Sequence, residues 1–303
     1  GHVGVLARPF YFCLGGAATV HFNPVEMIVQ AAIAAAGRHQ AGGRIDAALL
    51  ALVGHTTGTL AEAARGNPFD DTFTRDFKQV FSDLWDAKGL RAVLLRADGA
   101  NFSFGGDLKA FGPERDNLGP LVRRWTADLH MGLQRAWKLP VPVIAAVQGY
   151  AMGGGAALAA GCDVVVAGQS ARIGSAFTKI GFSCDSGSTV SFSARMGAAR
   201  ARRFVLLAEI LTAQDALQAG LFDRVVPDDQ LQAEALALAQ ELAQGPTIAY
   251  GEVKRLFSRI GAAQLEAQLE DEALTLGRVS GTADAQEGVA ALIERRKPVF
   301  RGR

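Results

Sequence analysis

Three consecutive glycines, Gly153, Gly154 and Gly155, are the residues whose type and spacing most directly suggest chemistry. They follow an apolar, β-branched run at residues 141–147, which predicts a buried strand, and precede an alanine-rich run at residues 156–160, which predicts a helix. A turn between a strand and a helix leaves backbone N–H groups unpaired, and glycine lets a negatively charged oxygen approach them closely. The turn is therefore either a site for an anionic oxygen or a tight connection that packs the helix against the strand.

A second glycine turn lies earlier in the chain, where the run Asn-Phe-Ser-Phe-Gly-Gly-Asp-Leu occupies residues 101–108. It follows an apolar run at residues 91–96 that predicts another short buried strand. Asp107 comes directly after the two glycines, and we interpret its carboxylate as structural rather than catalytic. The chain thus has two glycine turns at corresponding points after strands, where backbone groups could meet a ligand.

Asp185 is the carboxylate that the sequence best presents for proton transfer. The neighbouring side chains Phe177, Phe182 and Cys184 are apolar and could exclude water from it. The alternative is that Asp185 caps the helix predicted at residues 189–196, since an Asp before Ser-Gly-Ser-Thr is a natural N-cap worth about 1 kcal/mol. Cys184 lies beside it, but no histidine nearby in sequence could activate its thiol as a nucleophile.

The composition restricts the classes of protein to which the chain could belong. Its 303 residues, 49% hydrophobic and 20% charged, suit a soluble globular protein with a large core. The 31 basic and 30 acidic residues give a net charge of +1, so we predict no nucleic-acid partner. Three cysteines without metal-ligand spacing indicate a reducing, cytoplasmic setting, and the five scattered histidines predict no metal site. No apolar run approaches the ~20 residues of a membrane span, so we predict no membrane partner.

Alternation of predicted strands and helices indicates an α/β core. Strands at residues 91–96 and 141–147 enclose a long predicted helix at residues 121–137, and the same order repeats farther along. The predicted divisions are an N-terminal extension of unclear role at residues 1–43, with a short helix at 24–36, an α/β core at 44–225 and a helical region at 226–303. The predicted C-terminal helices lie at residues 228–244, 246–261, 265–279 and 285–296.

Five ordered segments of the chain together resemble the crotonase (enoyl-CoA hydratase/isomerase) superfamily. They lie at residues 91–108, 142–155, 161–167, 219–227 and 284–300. The first contains Phe-Ser-Phe-Gly-Gly-Asp-Leu and the second contains Gln-Gly-Tyr-Ala-Met-Gly-Gly-Gly. A glycine turn alone also occurs in dinucleotide-binding enzymes, but this chain lacks the third glycine and the following acidic residue of their fingerprint. Five motifs in order are far more specific than one turn.

The resemblance implies a spiral of ββα units with a C-terminal helical trimerisation region, assembled as a homotrimer or a dimer of trimers. It implies an acyl-CoA thioester as substrate and no permanently bound cofactor, because coenzyme A enters as part of the substrate. It also implies that two backbone N–H groups, those of Phe104 and Gly154, bind the thioester oxygen. Reactions at carbons next to a thioester place negative charge on that oxygen, and each such donor is typically worth about a hundred- to thousand-fold in rate.

The resemblance further identifies residues that contact the substrate and narrows the reaction. The expected substrate-binding residues are Ser103, Gly105, Asp107, Leu108, Gly153, Phe177 and Phe182. Hydratases of the superfamily commonly use two glutamates at positions that read Ala157 and Phe177 here, and neither side chain can carry a proton. The segment around Asp185 is similar to that of isomerases related to phenylacetyl-CoA degradation. A single carboxylate is sufficient for an allylic shift, and general acid–base help is worth about a hundred- to ten-thousand-fold.

We therefore predict an enzyme that shifts a double bond in an acyl-CoA thioester through an enolate, with Asp185 as acid and base. Two alternatives remain open. One is an enoyl-CoA hydratase with a non-standard acid/base. The other is an acyl-CoA-binding protein that kept the fold and lost catalysis. The acyl group of the substrate cannot be inferred from the sequence, because the shape of a pocket depends on how distant residues come together.

Overall fold

The computed structural model describes residues 45–50, 55–113 and 117–302 of the chain. The predicted N-terminal extension and its helix at residues 24–36 lie outside the described residues. In the described part, no helix is both long enough and apolar enough to cross a membrane.

A six-stranded sheet forms the centre of the fold. Its strands, in spatial order, are β1 (Ile45–Leu50), β2 (His55–Leu60), β4 (Ala92–Ala97), β6 (Val143–Val147), β8 (Val164–Gly168) and β11 (Arg224–Val226). The first pair, β1 and β2, is antiparallel, and all later neighbours are parallel. Parallel neighbours require crossover connections, which explains the helices between the strands.

Two small sheets lie beside the main one and carry the turns. One has the order β10 (Ile210–Thr212), β9 (Arg172–Gly174) and β7 (Tyr150–Met152), and the other pairs β3 (Pro68–Phe69) with β5 (Gly105–Gly106). The predicted strand at residues 141–147 therefore does not lead directly into the glycine triplet, because the short strand β7 intervenes. The strands β3, β5 and β7 have only two or three residues, too few to show a hydrophobic period in the sequence.

The helices pack on the main sheet and on one another. They are α1 (Asp71–Asp86), α2 (Leu108–Phe111), α3 (Leu118–Lys138), α4 (Gly154–Ala160), α5 (Ser188–Met196), α6 (Ala198–Leu206), α7 (Ala213–Ala219), α8 (Leu231–Gln244), α9 (Thr247–Val279) and α10 (Ala283–Ile293). Helix α1 begins after Asp70, whose carboxylate accepts the N–H of Phe73. Of its buried rings, Phe73 and Phe77 are stacked, and Phe81 packs against Phe77 at a tilt of 51°. That apolar face packs against α3, and α9 packs on α3 as well. The α/β class predicted from the sequence is confirmed.

The long helix α9 corrects one expectation from the sequence. Two helices were expected at residues 246–261 and 265–279, with a break near Gly261, but a single helix of 33 residues spans both. A glycine inside a helix costs about 1 kcal/mol relative to alanine. The packing of α9 along α3 outweighs that cost, and a local pattern contains no information about such packing.

Candidate active site

A mainly apolar cavity of about 180 Å³ lies where the two glycine turns meet the segment that carries Asp185. Helices α3, α9 and α10 complete its wall. The described residues that line it are Phe69, Phe104, Gly106, Leu108, Phe111, Val122, Trp125, Thr126, Leu129, Gly153, Gly154, Ala176, Phe177, Lys179, Ile180, Phe182, Asp185, Ser186, Leu276 and Leu292. Within this set Asp185 is the one carboxylate. A long apolar group could enter such a cavity and meet a single acid/base.

The glycine triplet supplies one backbone donor to the cavity. Gly153 has a φ of 53°, a conformation that favours glycine, and turns the chain from β7 into α4. Gly154 is the first residue of α4, so its N–H has no partner within the helix. Both residues line the cavity. The expectation that Gly154 presents a free backbone donor therefore agrees with its position at the start of the helix.

The prediction that the N–H of Phe104 is the second free donor is wrong. This N–H donates to the carbonyl of Gly66 at 3.0 Å, so it is used to hold the turn against the preceding loop. The ring of Phe104 lines the cavity and stacks near Tyr150, with ring centroids 6.0 Å apart. The residue thus contributes an apolar surface rather than a donor.

Gly106, two residues after Phe104, leaves its backbone N–H free of the β3–β5 pairing. It pairs with Phe69 in parallel register, and the N–H of Asp107 donates to the carbonyl of Phe69 at 2.9 Å. In a parallel pair only one of the two residues uses both its backbone groups in the ladder, so the N–H of Gly106 is directed away from β3. Gly106 lines the same cavity as Gly154. The two turns also touch, because a Cβ added at Gly105 would lie 2.8 Å from the nitrogen of Gly154.

Asp185 is held by two side chains. Its Oδ1 lies 2.8 Å from Nε2 of His130 in α3, and its Oδ2 accepts the hydroxyl of Ser186 at 3.2 Å. The Asp185 side chain is 14% exposed and the His130 side chain only 7%. The alternative role of Asp185 as a helix cap is wrong, because the N-cap residue of α5 provides no side-chain cap and the carboxylate of Asp185 accepts no backbone N–H from the first turn of that helix.

Glu272 of α9 caps that helix instead. Its buried carboxylate accepts the N–H of Gly187 at 2.6 Å, and the N–H and the hydroxyl of Thr189 at 3.0 and 2.6 Å. Between Asp185 and α5, Ser186 has a φ of 59° and Gly187 one of 69°. A non-glycine residue at positive φ costs of order 1–3 kcal/mol and persists only where its surroundings hold it. Glu272 provides that support for the segment that carries Asp185.

The electrostatics of this cluster follow from burial and from the close carboxylates. Burial by itself lowers the pKa of His130, but the hydrogen bond and charge of Asp185 outweigh it, so that this pKa is raised above its ordinary 6.5. Burial raises the pKa of Glu272 above its ordinary 4.5, against the hydrogen bonds from Thr189 and Gly187. Burial also raises the pKa of the Cys184 thiol to about 11, which leaves it protonated at neutral pH.

His130, Asp185 and Glu272 could each offer one ligand atom to a metal, and these atoms lie within 4.8 Å of one another. Each of the three is already used in hydrogen bonds, however. Nε2 and Oδ1 bond to each other, and the Glu272 oxygens accept three donors around α5. The hydrogen bonds account for the cluster without an ion.

The expected substrate-binding residues fall into two groups. Those that line the cavity are Leu108, Gly153, Phe177 and Phe182. Those that build the turn behind it are Ser103, Gly105 and Asp107. The buried Ser103 hydroxyl accepts the N–H of Gly105 at 3.0 Å and donates to the carbonyl of Asn67 at 2.8 Å. Asp107 caps α2 and forms an ion pair with Arg65, which agrees with its interpretation as structural.

Three residues of the site were missed from the sequence. Gly106 was counted as part of the turn only. His130 was set aside as one of several scattered histidines, although it falls on the buried face of α3 beside Leu129 and Leu133. Glu272 lies 87 positions after Asp185 in the numbering, so no local pattern connects the two. A polar side chain on the apolar face of a helix was the only signal available for His130.

Comparison with known proteins finds one matching family model and many similar enzymes. The family model described as Enoyl-CoA hydratase/isomerase matches residues 58–303. A probable enoyl-CoA hydratase from Rhodobacter capsulatus is 40% identical over 213 residues, which are 70% of this chain and 82% of the relative. A 1,2-epoxyphenylacetyl-CoA isomerase from Escherichia coli is 35% identical over 255 residues, with 82% of this chain and 96% of the relative covered.

Solved structures agree with the sequence relatives. An enoyl-CoA hydratase from Mycobacterium avium subsp. paratuberculosis superposes with a TM-score of 0.77 at 27% identity, over 85% of this chain and 98% of that one. This similarity confirms the crotonase-like fold expected from the five segments. The chain therefore belongs to the enoyl-CoA hydratase/isomerase family of enzymes, whose members act on acyl-CoA thioesters.

Proposed function

We propose that this enzyme shifts a carbon–carbon double bond in an acyl-CoA thioester, with Asp185 as the acid and base. The observation that carries the proposal is that Asp185 is the one carboxylate among the described residues that line the apolar cavity. Two positions that hydratases commonly fill with glutamate are Ala157, which is fully buried in α4, and Phe177, which lines the cavity. Neither can transfer a proton.

In the proposed reaction, a 3-enoyl-CoA becomes a 2-enoyl-CoA without change in composition. The Asp185 carboxylate removes a proton from C2, and the electron pair of that C–H bond moves into a dienolate whose negative charge lies on the thioester oxygen. The N–H groups of Gly106 and Gly154 would bind that oxygen, as preorganised donors that need no rearrangement. Protonated Asp185 then returns the proton to C4, which places the double bond between C2 and C3.

The relatives support both chemistries, so the comparison alone does not choose between them. The relative named 1,2-epoxyphenylacetyl-CoA isomerase favours an isomerase, whereas the one named probable enoyl-CoA hydratase favours hydration. One observation supports the hydratase alternative. Asp185 bonds to His130, and such a pair could accept a proton from water. The single carboxylate in an apolar wall still favours the isomerase, because water must be excluded from an enolate that is to be reprotonated.

The wall of the cavity supports a large apolar acyl group. The rings of Phe111 and Trp125 lie 5.3 Å apart, and those of Phe111 and Phe182 lie 5.9 Å apart. Aromatic side chains prefer such tilted contacts with other rings. We therefore expect an aryl-substituted 3-enoyl-CoA to be turned over at lower KM than a short straight-chain one.

The test is turnover of 3-enoyl-CoA and 2-enoyl-CoA thioesters in deuterated water by the wild type and by Asp185→Asn. We expect double-bond migration with the wild type and a loss of about a hundred- to ten-thousand-fold in kcat with the variant. Unchanged turnover in the variant would remove Asp185 from the mechanism. Addition of water to the 2-enoyl-CoA, without migration, would establish the hydratase. Binding of acyl-CoA without any turnover would favour the binding protein.

The assembly expected from the resemblance stays a proposal. A trimer or a dimer of trimers would cover apolar side chains that the single chain exposes on α9. Ile248 is 86% exposed and Phe257 is 71% exposed, and Leu256 lies between them on the same helix. Exposed apolar surface of this kind is a common mark of an interface between subunits.

A further inference from the structure

We infer that His130 is a positioning residue that holds the carboxylate of Asp185 for proton transfer, by donating its Nε2–H to Oδ1. The inference rests on the proposed role of Asp185 as acid and base. It adds a residue of helix α3 that lies outside the five segments on which the resemblance was based.

The geometry indicates that His130 acts through Asp185 alone. Nε2 and Oδ1 are 2.8 Å apart, a normal length for a strong hydrogen bond to a charged group. His130 is absent from the described residues that line the cavity, whereas Asp185 is among them. A side chain that is only 7% exposed and does not line the cavity is poorly placed to contact a substrate bound there.

The two oxygens of Asp185 are held unequally. Oδ1 has the close bond to His130, while Oδ2 has the longer 3.2 Å bond from the hydroxyl of Ser186. A carboxylate oxygen has lone pairs for two partners, so Oδ2 keeps one for a substrate proton. The rotation of the carboxylate about its χ2 angle is thus determined mainly by His130.

The surroundings favour His130 as the donor of this bond. The charged groups that act on it are Asp185, and Glu272 and Glu270 of α9, and all three are carboxylates. Three acidic neighbours stabilise a proton on the imidazole. His130 itself lies on the 21-residue helix α3, which is packed between α1 and α9. The donor is therefore fixed on a rigid element, as precise proton transfer requires.

Glu272 and His130 hold different parts of the segment around Asp185. Glu272 fixes the backbone that follows Asp185 through Gly187 and Thr189, and His130 fixes the side chain. A carboxylate displaced by about 1 Å can lose on the order of a hundred-fold in rate even with all catalytic groups present. We therefore expect loss of the hydrogen bond from His130 to lower the rate by a similar factor.

Three variants of His130 test the inference: His130→Gln, His130→Asn and His130→Ala. The amide nitrogen of Gln reaches the position of Nε2, whereas that of the shorter Asn reaches only the position of Nδ1. We expect Asn and Ala to lower kcat about a hundred-fold and Gln to stay within about ten-fold of the wild type. KM should change by less than about two-fold in all three, since His130 does not contact the substrate.

Leu133→Ala is the matched control, because Leu133 is fully buried on the same helix one turn away and does not line the cavity. It should lower stability and leave kcat unchanged. Equal kcat values for wild type, Ala and Asn would overturn the inference, and so would a Gln variant as slow as Ala. A loss of kcat in Leu133→Ala equal to that in His130→Ala would also overturn it, because the effect would then be one of helix stability.

A measurement without turnover separates this inference from the proposed function. In protein with ¹⁵N-labelled histidine, the Nε2 resonance of His130 should shift when Asp185 is changed to Asn, and it should not shift in Leu133→Ala. If Asp185→Asn keeps full activity but the resonance shifts, the proposed function fails and the bond stands. If Asp185→Asn is inactive and no resonance shifts, the inference alone fails.

Discussion

The glycine turns bring backbone N–H groups to the cavity, whereas the proposed acid/base, Asp185, is a side chain that contacts groups from other segments of the chain. Gly106 and Gly154 present N–H groups because of how β5 and α4 begin and end. The side chain of Asp185 bonds to His130 of α3, and the backbone of Gly187 that follows it bonds to Glu272 of α9. The first arrangement is local in the chain and the second is assembled from distant parts.

This difference predicts different weaknesses. Among substitutions only proline removes a backbone N–H, so with any other residue the glycine turns fail when the added side chain prevents the close approach of two backbones. A carboxylate held by hydrogen bonds fails when a partner is lost and a buried group is left unsatisfied. Three substitutions or conditions test the contrast, from the largest expected effect to the smallest.

Gly105→Ala should have the largest effect on activity, because the added methyl group would force apart the two glycine turns where they contact each other. Gly105 has a φ of 75°, and an added Cβ would lie 2.7 Å from the carbonyl oxygen of Met152 and 2.8 Å from the nitrogen of Gly154. We expect kcat/KM to fall by about a hundred- to thousand-fold, as for the loss of an oxyanion donor. Steady-state kinetics on the preferred 3-enoyl-CoA measures this.

Gly89→Ala is the control for the backbone conformation alone. Gly89 has a φ of 78°, but an added Cβ there meets nothing within 4 Å. It should cost about 1–2 kcal/mol of unfolding free energy for the left-handed conformation and leave kcat/KM unchanged. Similar kinetic losses in both variants would show that conformation, and not the close approach, explains the effect.

Glu272→Ala should have the next largest effect. It leaves the buried N–H of Gly187 and the two half-buried donors of Thr189 without their partner, which should cost about 3 kcal/mol of unfolding free energy. Urea denaturation measures the loss. Glu270→Ala, an exposed residue on the same helix, should stay within about 0.5 kcal/mol of the wild type. Equal stabilities of the two variants would contradict the capping role of Glu272.

The pH dependence of stability should show the smallest effect. The pKa of His130 is raised in the folded state, so its contribution is fully present below its unfolded value near 6.5 and is lost as pH rises through the folded value. The advantage of the wild type over His130→Gln should therefore shrink when urea denaturation is repeated from about pH 6 to about pH 9. If the stability of the wild type relative to His130→Gln instead grew with pH, the result would contradict the role of His130 as a donor.

The parts of the site that were predictable from sequence are those whose cause is local. The glycine triplet before an alanine run predicted the start of a helix, and α4 does begin at Gly154, where a helix terminus leaves N–H groups without partners in the helix. Asp107 after two glycines was interpreted as structural, and its carboxylate does accept N–H groups in the first turn of α2. Asp185 was singled out from its neighbours and does line the cavity.

The errors share a physical cause. The donor was assigned to Phe104 instead of Gly106 because the pairing of β3 with β5, which decides which N–H is occupied, joins segments about 35 residues apart. Asp185 was allowed a capping role because the true cap, Glu272, comes from α9. Gly261 was given as a helix end because the packing of α9 on α3 was unknown.

The sequence by itself determined the family and the two glycine turns, since these depend on residues next to one another whose conformations follow from local sterics. Only the tertiary structure decided which backbone groups remain free and which side chains hold Asp185, the proposed acid/base. Hydrogen bonds across the fold choose one partner among many, and a histidine or glutamate carries no mark of that choice in its own stretch of chain. His130 and Glu272 became part of the site only when α3 and α9 packed beside Asp185.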